Sequence, residues 1–458
     1  MSDDAGSGSS RRQILAAGGA GLLAATASGD VRPAHRGRPE PAGGTPEQVH
    51  LTWGDDPTRS VVVSWASPGQ AVAPRVRIGQ RIIAANERGY TDEVTGEVTW
   101  TYHARVDGLR PGATYGYAVT ADNDRYAPDS FSATFTTAPE GRSAYRFTSF
   151  GDLPAPNPRW ASPHAQAAHA VGAVETFQPL FHLLNGDLAD PGLNQEAAYR
   201  PWMPVPGNHE LEFGNGERRL ASYLARYALP SNGLPAFEGR WYSFQVGTVA
   251  FVCLSGDDDS GGAQTRWIEA TLAAARGDSS IDWIVVQLHH CAREPEWLPL
   301  FDRYEVDLVL CGHDHGYERS FPVRGFEPAT GSDVDALRPH PVTTVDSGVF
   351  DTSQGTVHLV LGCGSSDAAD TAYPANTANT ANTAEVATWS ARRDAATAGG
   401  IAVFDVNPGT EAGGQTSISV RYFHAAGADP ANPTGDYALF ETFTVVRPRS
   451  DGRRWHAR

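Results

Sequence analysis

The pattern of apolar segments changes near residue 140, and this change constrains the fold more than any other feature of the chain. After Ala138-Pro139-Glu140-Gly141, short apolar segments alternate with helical ones. The strand-like segments are 147–150, 181–184, 250–254, 283–288 and 306–310, and the helical segments are 264–276 and 297–305. We expect the first helix to end at Gly277 as its C′ residue. Strands that alternate with helices predict a layered α/β domain. Strand-like segments then return at 357–361, 401–404, 417–423 and 440–446.

The preceding region, from Glu47 to Pro139, has a different pattern. Short β-segments at 61–65, 115–119 and 131–137 are separated by turn signals such as Leu109-Arg110-Pro111-Gly112, with no segment of helical period between them. This predicts a β-sandwich of about the size of a fibronectin type III domain. We therefore expect four regions: an N-terminal segment at 1–43, the sandwich at 44–140, the core of the layered α/β domain at 141–350, and a β-rich segment at 351–448 that completes this domain.

The first 43 residues carry a targeting pattern. Arg11-Arg12 precedes a weakly apolar stretch that ends in the small residues Ala25-Thr26-Ala27, and residues 28–43 are rich in Pro, Gly and Arg. This resembles a twin-arginine signal peptide followed by a linker. The expected location is outside the cell or in the cell envelope, reached by the twin-arginine route.

Charge and composition exclude several classes of protein. The 458 residues carry a formal net charge of −17 and include no lysine. Such a chain repels the phosphate backbone, so we expect no nucleic-acid partner. No internal apolar run reaches the ~20 residues of a membrane span.

The cysteines do not indicate a disulfide scaffold, because there are four in the whole chain. Cys253 and Cys311 fall in or at the ends of core strands, and we expect them to behave as small buried apolar residues. A disulfide of Cys291 formed after export stays an alternative. The segment around Gly362-Cys363-Gly364 is interpreted as a strand end, and the Asn-Thr-Ala repeats of 367–388 as a surface loop.

Metal-ligand residue types follow the predicted strands at several places. Gly-Asp pairs follow two of them, a histidine pair follows a third, and Gly-His-Asp-His follows a fourth, with Gly-Asn-His-Glu in a separate loop; the residues are Asp152, Asp187, Asn208, His209, His289, His313 and His315. In an open α/β sheet, groups at the carboxyl ends of strands converge. Carboxylates and imidazoles together suit Zn, Fe or Mn, and a shared carboxylate can bridge two ions.

His290 directly follows His289. Neighbouring residues of a regular strand point to opposite faces, so we expect His290 to face away from the metals if His289 faces them from within a regular strand, and to have a minor role.

These motifs, in this order, resemble the calcineurin-like metallophosphoesterases. The sandwich, together with Trp241-Tyr242-Ser243-Phe244 and Tyr317-Glu318-Arg319-Ser320, narrows the resemblance to the purple acid phosphatase branch, over about residues 47–446. The resemblance implies an N-terminal fibronectin type III-like β-sandwich followed by a layered αββα domain. It also implies two metal ions, with Fe paired with Zn, Mn or Fe.

The resemblance assigns roles to individual residues. Asp187 would bridge both ions, Asp152 and His315 would complete the first site, and Asn208, His289 and His313 the second. His209 would bind the substrate phosphate and assist the leaving group. The implied activity is that of a secreted phosphatase, in which a metal-bound hydroxide attacks small phosphate monoesters.

The sequence departs from the family pattern at two positions. The family has a tyrosine three residues after the bridging Asp, where this chain has Asp190, and Asp-x-Gly where this chain has Asp152-Leu153-Pro154. Asp190 or water could take the place of the tyrosine, and we expect a colourless protein. The alternatives are a phosphodiesterase or nucleotide-processing enzyme, favoured by short segments after Asp187 and His290, and a degenerate, non-catalytic member.

Overall fold

The computed structural model describes most of the chain downstream of residue 42. The described residues are 43–91, 96, 98–125, 130–153, 163–188, 195–211, 220–256, 262–290, 296–328, 337–364, 388–394, 399–425 and 437–452.

The N-terminal region is a β-sandwich of two four-stranded antiparallel sheets, which confirms the predicted sandwich. Its strands are β1 (Glu47–Trp53), β2 (Val61–Ser67), β3 (Arg75–Ile78), β4 (Arg81–Ala84), β5 (Asn86–Thr91), β6 (Val98–Val106), β7 (Thr114–Thr120) and β8 (Phe131–Thr136). The sheet orders are β1-β2-β6-β5 and β4-β3-β7-β8. Alternating apolar residues, among them Trp53, Trp65 and Tyr102, are buried between the sheets.

The second region contains two seven-stranded sheets with helices outside them, which confirms the layered α/β class. Its strands are β9 (Tyr145–Phe150), β10 (Phe181–Leu184), β11 (Trp202–Pro204), β12 (Tyr242–Val246), β13 (Val249–Cys253), β14 (Trp283–Gln287), β15 (Leu308–Cys311), β16 (Tyr317–Ser320), β17 (Val323–Pro328), β18 (Leu337–Pro341), β19 (Val349–Asp351), β20 (Val357–Leu361), β21 (Ser390–Asp394), β22 (Gly400–Asn407), β23 (Gln415–Ala425) and β24 (Tyr437–Pro448). The sheet orders are β11-β10-β9-β22-β23-β24-β19 and β12-β13-β14-β15-β20-β16-β21, and β17 pairs with β18 separately.

Aromatic side chains fill the space between these two sheets. Phe147 of β9 stacks on Phe404 of β22, with ring centroids 4.4 Å apart, and meets Phe251 of β13 edge-on at 5.2 Å. Phe181 of β10 meets Phe244 of β12 edge-on at 5.7 Å. Large rings that interlock in this way fix the position of one sheet against the other. The C-terminal strands belong to this structure, since β22 pairs antiparallel with β9.

The helices lie outside the sheets. They are α1 (Pro163–Phe177), α2 (Ala221–Arg226), α3 (Ala263–Gly277) and α4 (Leu298–Arg303). The face of α3 that carries Trp267, Ile268 and Leu272 is buried in the same apolar cluster as Ile284 of β14. The prediction that Gly277 follows this helix is wrong. Gly277 is the last helical residue, and the helix ends because Asp278 takes an extended conformation.

One sheet of the sandwich holds the carboxyl end of α2. Thr101 and His103 of β6 donate to the carbonyl oxygen of Ala225 at 2.7 Å and 3.0 Å, and His50 of β1 donates to that of Arg226 at 2.9 Å. The last carbonyls of a helix have no partners within the helix. The sandwich supplies these partners and thereby fixes the segment that follows the loop of Asn208 and His209.

Candidate metal centre

The candidate ligands converge because four parallel strands end at the same edge of the two sheets. β9 pairs parallel with β10, and β14 pairs parallel with β15. Asp152 follows β9, Asp187 follows β10, His289 follows β14 and His313 follows β15. Since the carboxyl ends of parallel strands meet at one edge, residues far apart in the sequence lie side by side.

Three of these residues have left-handed backbones. The φ angles are 60° at Asp152, 53° at Asp187 and 70° at His313. Residues with side chains rarely adopt this region, and such strain is concentrated at functional sites. The sharp turns direct these side chains back across the strand ends.

Asp187 lies beside a group of nitrogen and oxygen donors. Its Oδ1 atom is 3.4 Å from Nε2 of His289, and Oδ1 of Asn208 is 3.0 Å from the same nitrogen and 3.0 Å from Nδ1 of His313. Nδ1 of His289 lies 2.7 Å from the carbonyl oxygen of Asn185. A carbonyl only accepts, so Nδ1 carries a proton, and Nε2 is the ring atom that faces Asp187 and Asn208.

Asp152 lies on the other side of this group. Its Oδ1 atom is 3.7 Å from Nε2 of His315, and its Oδ2 atom accepts the backbone N–H of His313 at 2.8 Å. One coordinating oxygen or nitrogen from each of Asp152, Asp187 and His289 lies within 4.8 Å of the others. The structure thus brings all six candidate metal ligands into one continuous cluster.

His209 stands at the open side of the cluster. Its Nε2 atom is 3.5 Å from Oδ2 of Asp187, and 43% of its side chain is exposed, against 6% for Asp187. Its backbone N–H donates to Oδ1 of Asp187 at 3.1 Å. A molecule from solvent can therefore reach His209 without opening the buried part of the site.

Two supporting residues were not predicted from the sequence. The buried carboxylate of Glu210 accepts the backbone N–H groups of Gly207, Asp187 and Leu188 at 2.7, 3.0 and 2.9 Å. Asn185 donates through Nδ2 to the carbonyl of Cys311 at 3.1 Å, in addition to accepting the proton of His289. Asn185 lies two residues before Asp187, and Glu210 directly follows His209; this closeness in the sequence was the feature that could have indicated their roles.

The electrostatics of the cluster favour a cation. Burial raises the pKa of the Asp152 carboxyl to about 6, and the nearby Asp187 carboxylate adds to the rise. Burial alone would lower the pKa of His289, but the carboxylates of Asp187 and Asp152 raise it to about 10. The Asp187 carboxylate contributes to both shifts, because buried carboxylates close together attract positive charge.

The condition set for His290, that His289 faces the metals from within a regular strand, does not hold. Strand β14 ends at Gln287, so His289 and His290 both lie beyond the regular strand. The ring of His290 is buried against the ligand imidazoles, with its centroid 3.8 Å from that of His313 and 4.7 Å from that of His289. Alternation between faces applies only inside a strand, so it does not determine the direction of His290, which lies beyond the end of β14.

The cysteines differ in part from the prediction. Cys253 is a free, buried thiol, as expected, and Cys363 is also free and buried. Cys311 is disulfide-bonded, which corrects its interpretation as a small apolar residue. Gly364, next to Cys363, donates its N–H to the carbonyl of Gly151 at 2.8 Å, so this strand end packs directly under the candidate site.

Several predictions fall outside the described residues. They concern Pro154, the substitution at Asp190, Cys291, the signal and linker of 1–42, and most of the repeat loop of 367–388. Among the described residues, no helix is both long and apolar enough to cross a membrane.

Comparisons with known proteins agree with this architecture. Residues 46–137 match the model of the purple acid phosphatase N-terminal domain, and residues 146–317 match that of the calcineurin-like phosphoesterases. An uncharacterized protein of Mycobacterium tuberculosis is 36% identical over 95% of this chain and 93% of its own. Acid phosphatase type 7 of Danio rerio is 26% identical over 69% of this chain and 82% of its own.

A solved structure has the same fold. A purple acid phosphatase from yellow lupin seeds superposes with a TM-score of 0.66 at 17% identity, over 89% of this chain and 75% of the lupin chain.

Proposed function

Since the chain belongs to the purple acid phosphatase branch of the calcineurin-like phosphoesterases and is a phosphoric ester hydrolase, we propose that it hydrolyses small phosphate monoesters at a pair of metal ions. The proposal rests on the position of Asp187. Its Oδ1 atom lies 3.4 Å from Nε2 of His289, which in turn contacts Asn208, and one of its carboxylate oxygens lies within 4.8 Å of the Asp152 carboxylate. A carboxylate in this position can be shared by two ions.

The residues present fit such a pair. Oδ1 of Asp152 is buried and accepts no hydrogen bond from the described residues. A buried carboxylate oxygen without a donor is costly, and a cation removes this cost. The mixture of carboxylate, amide and imidazole donors suits Fe, Zn or Mn better than Ca or Mg.

The first ion would be held by Asp152, Asp187 and His315, and the second by Asp187, Asn208, His289 and His313. When bound, the ions supply Lewis-acid polarisation of phosphoryl oxygens and a water of lowered pKa. They also supply the positive charge that a chain with a net charge of −17 and no lysine otherwise lacks at an anionic substrate.

The protein's own contribution to the reaction comes from His209. Its exposed imidazole can donate an N–H to a phosphate oxygen of the substrate, and then give a proton to the leaving oxygen as that atom gains negative charge. Asp187 orients this ring from 3.5 Å. His209 therefore links substrate binding to the departure of the alcohol product.

Asp187→Asn tests the mechanism. The wild-type protein, reconstituted with Fe, Zn or Mn, should hydrolyse p-nitrophenyl phosphate faster than bis(p-nitrophenyl) phosphate. Loss of a group that only supports a metal ligand costs about 10–100-fold, so Asp187→Asn should lower the rate by at least ~100-fold. Asp278→Asn, at an exposed carboxylate after α3, is the matched control and should retain the wild-type rate. Full activity of Asp187→Asn would refute the mechanism, and preference for the diester would refute the substrate assignment.

We also propose export by the twin-arginine route. The support is the pair Arg11-Arg12 with the small-residue segment Ala25-Thr26-Ala27. Residues 1–43 fused to a folded reporter should direct its export, and replacement of both arginines by lysine should stop it. Export that survives the double replacement would contradict the proposal.

A further inference from the structure

The chain places a third imidazole against the two histidines of the second metal position. His290 lies immediately beyond β14 and is 2% exposed. Its ring centroid is 3.8 Å from that of His313 and 4.7 Å from that of His289. The ring is therefore in direct contact with two residues of the proposed ligand set.

The nitrogen atoms of these three rings are close enough for one ion. One ring nitrogen from each of His289, His290 and His313 lies within 4.8 Å of the other two. A Zn–N bond is about 2.0–2.1 Å long, so two nitrogens on one ion lie at most ~4.2 Å apart. The observed limit of 4.8 Å exceeds this spacing by about 0.6 Å, so the three rings are grouped near the spacing that one ion requires.

A core histidine in the same protein has different surroundings. His182 packs between Phe150 and Trp202, at centroid distances of 4.2 and 4.3 Å, and its Nδ1 atom pairs with the hydroxyl of Thr148 at 2.8 Å. The ring neighbours of His290 are imidazoles. Imidazole nitrogens are ligands that transition-metal ions bind well, so a group of three such rings favours a metal ion.

We propose that His290 is an additional ligand of the second metal ion, which would make that position a three-histidine site. The inference rests on the proposed dinuclear centre, because it assigns one more residue to it. Three imidazole nitrogens favour Zn, Fe, Cu or Co over Mg and Ca. The second position should therefore select borderline transition metals more strongly than a site with two histidines.

Binding of Co²⁺ to the full-length protein tests the assignment without relying on activity. The wild type, His290→Asn and His290→Ala are titrated in competition with a chelator, and His182→Asn serves as the matched loss of a buried imidazole. We expect both His290 variants to bind one of the two Co²⁺ ions at least ~10-fold less tightly, as loss of a metal-supporting group costs about 10–100-fold. His182→Asn should change neither Co²⁺ affinity, even where it lowers stability.

A second measurement uses the wild type alone, and so holds even if the variants fail to fold. With ¹⁵N-labelled histidines, one ring nitrogen of His290 should move to the chemical-shift range of metal-bound imidazole when Zn²⁺ is added. An unchanged His290 signal, or two unchanged Co²⁺ affinities in folded His290 variants, would overturn the assignment while leaving the dinuclear centre intact. Failure of the wild type to bind two ions would overturn both.

Discussion

Replacement of Glu210 should loosen the centre without touching a proposed ligand. The Glu210 carboxylate accepts three backbone N–H groups, those of Gly207, Asp187 and Leu188, at 2.7 to 3.0 Å. It is 5% exposed, so water cannot replace it at these positions. One carboxylate thus holds both the turn that carries Asp187, at a φ of 53°, and the loop that carries Asn208.

The size of the effect follows from these bonds. A hydrogen bond to a charged group contributes about 1.5–3 kcal/mol, and the three bonds are not additive because they share one side chain. We expect Glu210→Ala to lower the free energy of unfolding by about 3–5 kcal/mol, because it leaves three buried N–H groups without their acceptor, at about 1–3 kcal/mol for one such group. Glu210→Gln keeps one acceptor oxygen but turns an NH₂ group toward an N–H, which should cost about 1–3 kcal/mol.

Urea unfolding of the metal-free protein, followed by tryptophan fluorescence, measures the stability change. The same variants should bind Co²⁺ at least ~10-fold more weakly, because supporting groups contribute about that much to metal affinity. Glu238→Gln, at an exposed carboxylate, is the control and should match the wild type in both assays. Wild-type stability and Co²⁺ affinity in Glu210→Ala would refute the role assigned to this carboxylate.

Three further predictions concern the glycine turn, the domain interface and the missing tyrosine. Gly186 has a φ of 82°, and a Cβ there would lie 2.5 Å from Nδ1 of His289, so Gly186→Ala should weaken Co²⁺ binding. Gly79→Ala, at a φ of 57° with open space around it, controls for backbone strain. An equal loss of Co²⁺ affinity in both variants would contradict the explanation. Burial lowers the pKa of His103 from 6.5 to about 3, so the folded state binds this proton less readily than the unfolded chain. The free energy of unfolding therefore decreases as the pH falls below 6.5, by about 2 kcal/mol at pH 5. Urea unfolding at pH 7 and pH 5 should show a smaller loss in His103→Asn, and an equal loss would contradict the prediction. With Asp190 in place of the family's tyrosine, iron-loaded protein should lack an intense visible absorption band, which a visible spectrum decides directly.

Much of the architecture could be predicted from the sequence because its signals are local. Segments in which apolar residues alternate with period two predicted the sandwich, and the predicted strand at 181–184 coincides with β10. The cluster was predictable because ligand residue types follow several strands, and parallel strands share an edge.

The remaining features depend on tertiary contacts or on where an element ends. The orientation of His290 depended on β14 ending at Gln287 rather than a few residues later. Glu210 is marked in the sequence only by its position after His209, and its role exists only once the backbone N–H groups of Asp187 and Leu188 turn toward it. The end of α3 likewise depended on the conformation of Asp278.

Anomalous diffraction from crystals loaded with Zn²⁺ would locate the metal ions and their ligands. We expect two peaks, one bonded by Asp152 and His315 and the other by Asn208, His289 and His313, with the Asp187 carboxylate bonded to both. A single peak, or two peaks without a shared Asp187, would contradict this expectation.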